Sequence, residues 1–454
     1  MRIVKALSTI PFLLIPILAT ADDAVACGGC FVQQTENTQV TGHRMVLGVS
    51  TTQTTLYDQI TYSGAPEEFA WVLPIKGQVE VALSSDAMFA HLENITAVTV
   101  NSPQINCNPG GCPSFNGAGG SAAGGEEGGA GGGGVDIIAQ QVVGPYETVQ
   151  LSASDPGALA NWLSQHGYNI PADIQPVIDA YVAEDFDFLA LRLVPGEGID
   201  SMRPVAITTP GAAPALPLRM VAAGTGAVTP ITLWIVSEGR YEPQNFPSFL
   251  IQESQLVWNW DEQRSNYADL KQAGFASSNG SSWLVEAGEP LQPYAFESLL
   301  DLANYDPLNS GYANDDGTMA AENAQADIDR LTAGTDPASR YITRISAELA
   351  RSALADDLVL QASPDQSMVN RYFFVQNTVG TAPECPPPPV CDDDGGWPDG
   401  DGEVDGTGGA SASGGSAGCD SCAVGGSERT SLGAGLAAMV GLGLVLGRRR
   451  LSKR

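Results

Sequence analysis

Apolar and polar residues alternate over much of 38–83, where Thr, Val, Ile and Tyr are frequent. A period of two is typical of β-strands, so this stretch predicts several antiparallel strands. Segment 69–73 is apolar on both faces, which predicts a strand in the middle of a packed sheet, ended by Pro74. Further strands are predicted at 135–138, 147–151, 189–193, 218–222 and 231–237.

Other segments show helical spacing of their apolar residues. Ser84 or Ser85 is predicted to cap a helix that contains Met88, Phe89 and Leu92. Beyond Asp261 the pattern becomes mostly helical, interrupted by a predicted strand at 283–286. One predicted helix begins after Asp155, and the others occupy 175–182, 262–273, 296–303, 320–331 and 341–354. Together the elements predict an α+β fold, with a mainly antiparallel sheet and packed helices in the N-terminal half and a more helical C-terminal part.

The N-terminus has the three parts of a secretory signal peptide. Arg2 and Lys5 precede an apolar stretch at 6–18, and small residues follow at 19–21. Cleavage after residue 21 would leave Asp22 first, whereas cleavage after Ala26 would leave Cys27 first and would permit lipidation there. We therefore expect residues 1–21 to be a signal peptide and 22–380 to be the exported globular region.

Two segments are too poor in large apolar residues to build a core. Residues 113–134 are almost entirely Gly, Ala and Ser, which predicts a disordered insert. Residues 381–418 hold four consecutive prolines, then a run of acids, then Gly, Ser and Ala. This composition predicts a spacer that is stiff at first and flexible afterwards.

The chain ends in a tail, 419–454, that has the order of a sorting signal. Cys419 and Cys422 come first, an apolar segment at 432–447 follows, and 448–450 are all Arg. The apolar segment predicts a transmembrane helix, held by the basic residues that stay inside. It would span about 24 Å, less than the ~30 Å hydrocarbon core, so we expect it to serve as a transient processing signal.

The eight cysteines fall in four close pairs, and an exported chain can form disulfides. We predict disulfides among Cys27, Cys30, Cys107, Cys112, Cys385 and Cys391. Local bridges are favoured at the second and third pairs, although connectivity remains open. Cys27 and Cys30 could instead be a redox pair, but a thioredoxin-like pair should open a helix, and this one precedes a β-like stretch.

Candidate chemistry in the rest of the chain is sparse. The three histidines, His43, His91 and His166, lie in different elements and do not show zinc-ligand spacing. No GxSxG motif occurs outside the Gly/Ser/Ala-rich spacer, and the acidic residues at 392–405 depart from the EF-hand pattern, which leaves weak calcium association as a hypothesis. We predict no catalytic residues, no metal ligands and no cofactor. The net charge of −31 argues against nucleic-acid binding, because such a surface repels phosphates.

Several short motifs resemble the secreted bacterial domain-of-unknown-function family 2330 over about 27–362. They are Phe69-Ala70-Trp71-Val72-Leu73-Pro74, Gly144-Pro145-Tyr146-Glu147, Leu159-Ala160-Asn161-Trp162-Leu163, Gly167-Tyr168, Pro217-Leu218-Arg219, Asn266-Tyr267, Trp283-Leu284-Val285-Glu286, Ile342-Thr343-Arg344-Ile345 and Asp357-Leu358. Cys30 departs from the family pattern, in which the second Cys follows two aromatic residues. The resemblance implies a shared fold but no activity.

The tail is similar to the myxobacterial-type C-terminal sorting signal. That resemblance implies cleavage near Cys419, modification of a cysteine there and retention at the outer surface. A sorting protease and the membrane are then the expected partners during processing. We expect an uncharacterised protein displayed at the cell surface, as a non-enzymatic binding or structural envelope component. The alternative is a surface-held hydrolase or thiol oxidoreductase with an unrecognised site.

Overall fold

The computed structural model describes residues 30–32, 39–63, 69–105, 141–152, 157–168, 170–194, 202–223, 225–314, 316–385 and 427–429. The helices are α1 (Asp86–Thr96), α2 (Ala158–Gln165), α3 (Gln175–Ala183), α4 (Leu218–Val221), α5 (Tyr267–Ser277), α6 (Glu297–Tyr305), α7 (Pro307–Ser310) and α8 (Ala320–Thr332). The strands are β1 (Cys30–Val32), β2 (Gln39–Val49), β3 (Gln53–Ser63), β4 (Phe69–Ile75), β5 (Glu80–Leu83), β6 (Thr99–Asn101), β7 (Gln141–Val143), β8 (Tyr146–Leu151), β9 (Asp187–Leu193), β10 (Val205–Pro210), β11 (Ala215–Leu216), β12 (Val228–Glu238), β13 (Tyr241–Pro243), β14 (Ser248–Phe249), β15 (Val257–Asn259), β16 (Arg264–Ser265), β17 (Trp283–Pro290), β18 (Arg340–Ala350), β19 (Leu358–Ala362), β20 (Tyr372–Phe374), β21 (Asn377–Val379) and β22 (Ser427–Arg429).

The main sheet has eight strands in the order β14-β17-β18-β12-β2-β3-β10-β5. Most neighbours are antiparallel, whereas β12 pairs in parallel with β2 and β14 with β17. Its long central strands are rich in β-branched and aromatic residues, which pack well on a pleated surface. Strand β12, for example, reads VTPITLWIVSE and contributes buried side chains to both faces.

A second, fully antiparallel sheet has five strands in the order β1-β4-β9-β8-β7. Strand β4 lies inside this sheet, as its two apolar faces predict. Trp71 and Leu73 point toward one core, while Ala70 and Val72 point toward another. The strand continues one residue past Pro74 to Ile75.

The two sheets and their helices form four layers. Helices α1, α6 and α8 cover one face of the main sheet. The opposite face packs partly on the five-stranded sheet and partly on α4, β11 and β19. Helices α2 and α3 cover the outer face of the five-stranded sheet. Every sheet face in this stack is therefore buried against another layer, which is how α+β domains bury their apolar surface.

Helix α8 approaches β2 closely at Gly48. A Cβ placed on Gly48 would lie 2.5 Å from the carbonyl oxygen of Leu331. Real side chains essentially never come that close to backbone atoms, so this contact requires glycine. A smaller core beside the main sheet joins α5 to β6, β15 and β20, and includes Trp258, Tyr267 and Phe373.

Much of the predicted secondary structure is confirmed, including an α+β fold with antiparallel-rich sheets and the helix capped by Ser85, whose side chain accepts from the Ala87 N–H. Two predictions are wrong. Residues 341–354 were expected to be an α-helix but form strand β18 and most of a short 3₁₀ helix, Arg351–Ala355, and the strand predicted at 218–222 is replaced by helix α4. The structure does not show the more helical C-terminal part that the sequence predicted, because β17 and β18 of that part belong to the main sheet.

The prediction of a transmembrane helix is also wrong for the part of the chain that the structure describes. No helix there is both long and apolar enough to cross a membrane. The longest of the eight, α8, has 13 residues and carries four acidic or basic side chains. The predicted apolar segment, 432–447, lies outside the described residues.

The expectation of disulfides is corrected to this extent: no bridge between two cysteines is seen among the described side chains. Cys385 is itself disulfide-bonded, and it is the one cysteine whose side chain the structure describes. Cys30 is placed in β1 without a described side chain. The signal peptide, the Gly-rich insert and the rest of the spacer lie outside the described residues. So do the other predicted cysteine sites, which are Cys27, Cys107, Cys112, Cys391, Cys419 and Cys422.

Candidate functional site

A buried carboxylate, Glu286, organises the polar interior between the main sheet and its helices. The strand register shifts between Val285 and Ala287, so Glu286 lies at a β-bulge, a feature that re-aims a side chain. Its two oxygens accept hydrogen bonds from Arg344 Nε at 2.6 Å, Lys271 Nζ at 2.7 Å and Ser346 Oγ at 2.9 Å. One carboxylate thus joins β17, β18 and α5.

Opposite charges keep Glu286 ionised despite its burial. Burial alone raises the pKa of this carboxyl, but the charges of Arg344 and Lys271, together with the hydrogen bonds, more than offset that effect and hold its pKa at about 2. The pKa of Arg344 is raised in turn, because the charges of Glu286 and Glu93 outweigh the effect of its burial. The centre is therefore a charged network at neutral pH.

The stability that Glu286 contributes should be lost in acid. Its folded-state pKa of about 2 lies below the ordinary value of 4.5, so its contribution is present above about pH 5 and falls away as the pH drops toward 2. A shift of this size corresponds to about 3 kcal/mol. We expect the difference in unfolding free energy between wild type and Glu286→Gln to shrink over that range in urea titrations. A difference that stays constant from pH 6 to about 2 would contradict this assignment.

The network continues across the sheet to helix α1 through Trp234. The guanidinium carbons of Arg44 and Arg344 each lie 5.4 Å from the Trp234 ring centroid, within cation–π range. The indole N–H donates to Thr96 Oγ at 2.7 Å. Arg344 Nη1 also lies 2.9 Å from Glu93 Oε1. Helix α1 is thereby tied to β2, β12 and β18 by oriented polar contacts as well as by packing.

A second ion centre joins the helical layer of the five-stranded sheet to the main body. Arg219 donates from Nε and Nη2 to Asp357 and from both Nη atoms to Glu184, at 2.7–3.0 Å. Tyr181 donates to Asp357 Oδ1 at 2.5 Å, and the Arg219 guanidinium lies 4.1 Å from the Tyr181 ring. Hydrogen bonds to Glu184 and Asp357 raise the pKa of Arg219 despite partial burial.

A small pocket lies between β4, the main sheet and segment 216–221. Its lining is mainly apolar, and Asp58 is its one acidic lining residue. His43 Nδ1 lies 3.2 Å from Asp58 Oδ1, and both side chains are almost fully buried. His43 Nε2 has no hydrogen-bond partner among the described residues. Among the described residues, no nucleophile therefore contacts Nε2 in the way that a catalytic triad requires.

The other two predicted histidines have local contacts. His91 lies beside Phe296 and Nε2 is 2.8 Å from the Ala295 carbonyl, while burial lowers its pKa. His166 packs on Trp162 with ring centroids 4.5 Å apart. The three histidines are not brought together. Within the described ranges, no group of three or more His, Cys, Asp or Glu side chains could hold a metal ion.

The outer helical layer carries exposed apolar side chains that the sequence patterns did not single out. Tyr305 is 86% exposed and Leu308 is 75% exposed, and Leu302 lies one turn before Tyr305 on α6. Tyr294 and Met319, on the flanking loops, are also exposed. We call these five residues the outer helical face. The sequence does indicate this exposure, because the apolar residues of 299–305 extend around more of the helix than one buried face requires.

Several of the motif residues that suggested a family are thus brought into contact with one another. Glu286 pairs with Arg344, and Arg219 pairs with Asp357, although these partners are far apart in sequence. Glu147, in another of the motifs, pairs with Arg192. The motifs therefore mark contacts that hold layers and strands to one another.

Comparison with known proteins gives one family match. No curated protein matches the chain. The crystal structure of baculovirus P35 matches with 11% identity over 46% of this chain and 68% of that chain, at a TM-score of 0.24, which carries no argument about fold or function. The match to an uncharacterised family conserved in bacteria, DUF2330, covers residues 21–361. With most of its length matched, the chain belongs to the DUF2330 family.

Proposed function

We propose that this protein is exported and displayed at the cell surface, where it acts as a non-enzymatic binding component. The outer helical face is the proposed docking surface, and its exposure is the observation that carries the proposal. Isolated exposed apolar residues are common on soluble proteins, but neighbouring ones rimmed by polar residues are typical of interaction sites. Leu302, Tyr305 and Leu308 follow one another along α6 and α7, and exposed acidic residues, among them Asp301 and Asp306, are their neighbours in sequence.

The buried charges support a scaffold that holds this face in place. Glu286, Arg344 and Arg219 are engaged in contacts between layers. Asp327 accepts from Ser84 and Tyr312 and anchors α8, which packs beside α6 and α7. These residues position helices and strands, which suits a domain that presents a rigid surface. The basic, apolar and small residues of the N-terminus, and the order of the tail after Cys419, support export and surface retention.

Surface display can be tested with protease applied to intact cells of a bacterium that produces the tagged protein. We expect the full chain to be digested from outside. A variant without residues 1–21 should stay inside and be protected, because it lacks the export signal. A variant without residues 419–454 should be exported but released into the medium. Protection of the full chain in intact cells would overturn the proposal.

A further inference from the structure

The residues around the outer helical face have a one-sided charge. Segment 291–329, which includes α6, α7 and most of α8, contains no Lys, Arg or His. Its exposed acids are Glu297, Asp301, Asp306, Asp316, Glu322 and Asp329. The apolar residues of this face therefore lie in a segment whose exposed charges are all negative, which we call the acidic rim, and Arg330, which follows the segment, is paired with Asp327.

These acids are not neutralised from elsewhere in the part of the chain that the structure describes. None of the six forms an ion pair there. Three of them accept hydrogen bonds from neutral groups: Asp306 from Asn309, Asp316 from Thr318 and Asp329 from Gln325. By contrast, Glu286 and Asp357 each have an arginine partner in the interior. The rim thus keeps a negative field that can select a partner.

We infer that the outer helical face binds a basic amphipathic segment of a partner protein, in which aliphatic or aromatic anchors alternate at helical spacing with Lys or Arg. This inference rests on the proposed function, because it names the partner class for the same surface. Such a segment would lay its apolar side on Leu302, Tyr305 and Leu308, a recurring mode of helix recognition. Its cations would meet the acidic rim, which favours fast and specific association.

Charge excludes the two simplest other occupants. A second copy would present the same acidic rim, so a symmetric contact through this face would set like charges against one another. With a net charge of −31, the chain also repels nucleic acid. A partner that is apolar at the centre and basic at the edge complements both features of the surface.

A synthetic amphipathic peptide of Leu and Lys, about 20 residues long and fluorescently labelled, is the probe. Its binding to the purified full chain is measured by fluorescence anisotropy at ~50 mM and at about 300 mM salt. Tyr305→Ser/Leu308→Ser should weaken binding about tenfold, the equivalent of about 1.4 kcal/mol. The matched control, Tyr372→Ser/Phe374→Ser, removes two exposed aromatic side chains from β20 and should leave affinity within about twofold.

The charge requirement is tested with a second matched pair of variants. Asp301→Asn/Glu322→Gln should weaken binding and reduce its salt dependence, because two acids of the rim are neutralised. Glu253→Gln/Asp356→Asn makes the same charge change at exposed sites elsewhere and should have little effect. Equal losses of affinity in the two double variants would overturn the inference, because the peptide would then be responding only to the overall negative charge of the protein.

A neutral Leu/Gln peptide distinguishes this inference from the proposed function. If the neutral peptide binds as tightly as the Leu/Lys peptide, and both lose affinity in Tyr305→Ser/Leu308→Ser, the face is a docking surface but its selection of basic partners is refuted. If neither peptide depends on Tyr305 and Leu308, the docking surface itself is refuted. Thermal unfolding of each variant checks that the fold is intact, since exposed substitutions usually change stability by no more than about 0.5 kcal/mol.

Discussion

Replacing Glu286 with Gln is expected to lower the free energy of unfolding by about 3–5 kcal/mol at neutral pH. The substitution keeps the size of the side chain but removes the negative charge that Arg344 and Lys271 face. Lys271 would then lose its charged partner among the described residues and Arg344 would keep only Glu93, which costs far more than the loss of an exposed pair. Urea unfolding followed by circular dichroism measures the change.

The matched control for Glu286 is Glu262→Gln. Glu262 also pairs with an arginine, Arg264, but both side chains are about half exposed, so water replaces the lost contact. This variant should unfold almost as the wild type does. If Glu286→Gln lowers the free energy of unfolding as little as Glu262→Gln does, Glu286 is not the charge that balances Arg344. A double variant, Glu286→Gln/Arg344→Met, should lose less than the sum of its single changes, because the pair is coupled.

Trp234→Ala is expected to cost about 3–5 kcal/mol of stability, as large-to-small changes of buried aromatic residues do. Trp234 is completely buried between the main sheet and α1. Its removal leaves a cavity, deprives Arg44 and Arg344 of the ring that both approach, and removes the donor to Thr96. Thermal or urea unfolding gives the magnitude.

Trp234→Phe separates packing from polar contact at this site. Phenylalanine keeps most of the ring volume and an aromatic face for the two arginines, but it cannot donate to Thr96. We expect its loss of stability to be well below that of Trp234→Ala. Similar losses in the two variants would show that the indole N–H, and not ring packing, dominates. Tyr305→Ala, at an exposed position, is the control for truncating an aromatic residue and should change stability little.

Strand β18 shows where sequence patterns cannot distinguish a helix from a strand. Ile342, Ile345 and Leu349 recur at helical spacing, and 341–354 was expected to be a helix on that basis. In the structure, both faces of this strand are covered, so apolar residues occupy positions on each side and the period of two is hidden. The β-branched residues of the segment were the better local signal.

The ion centres depend on contacts that no local pattern contains. Glu286 and Arg344 occur in motifs that the sequence identified, but their pairing requires β17 and β18 to be neighbours and a bulge to turn Glu286 toward the helices. The exposure of Tyr305 and Leu308 likewise depends on which side of α6 and α7 the main sheet covers. Neither property follows from composition or spacing.

The sequence by itself determined the family, the α+β class, the antiparallel strands of the N-terminal half and the positions of α1, α3 and α8, because these follow from local periodicity, capping and motif order. Only the tertiary structure decided that β18 is a central strand, that Glu286, Arg344 and Lys271 share one buried centre, and that the outer helical face is open. Those outcomes depend on burial and on pairing between distant segments, where packing overrides local preference.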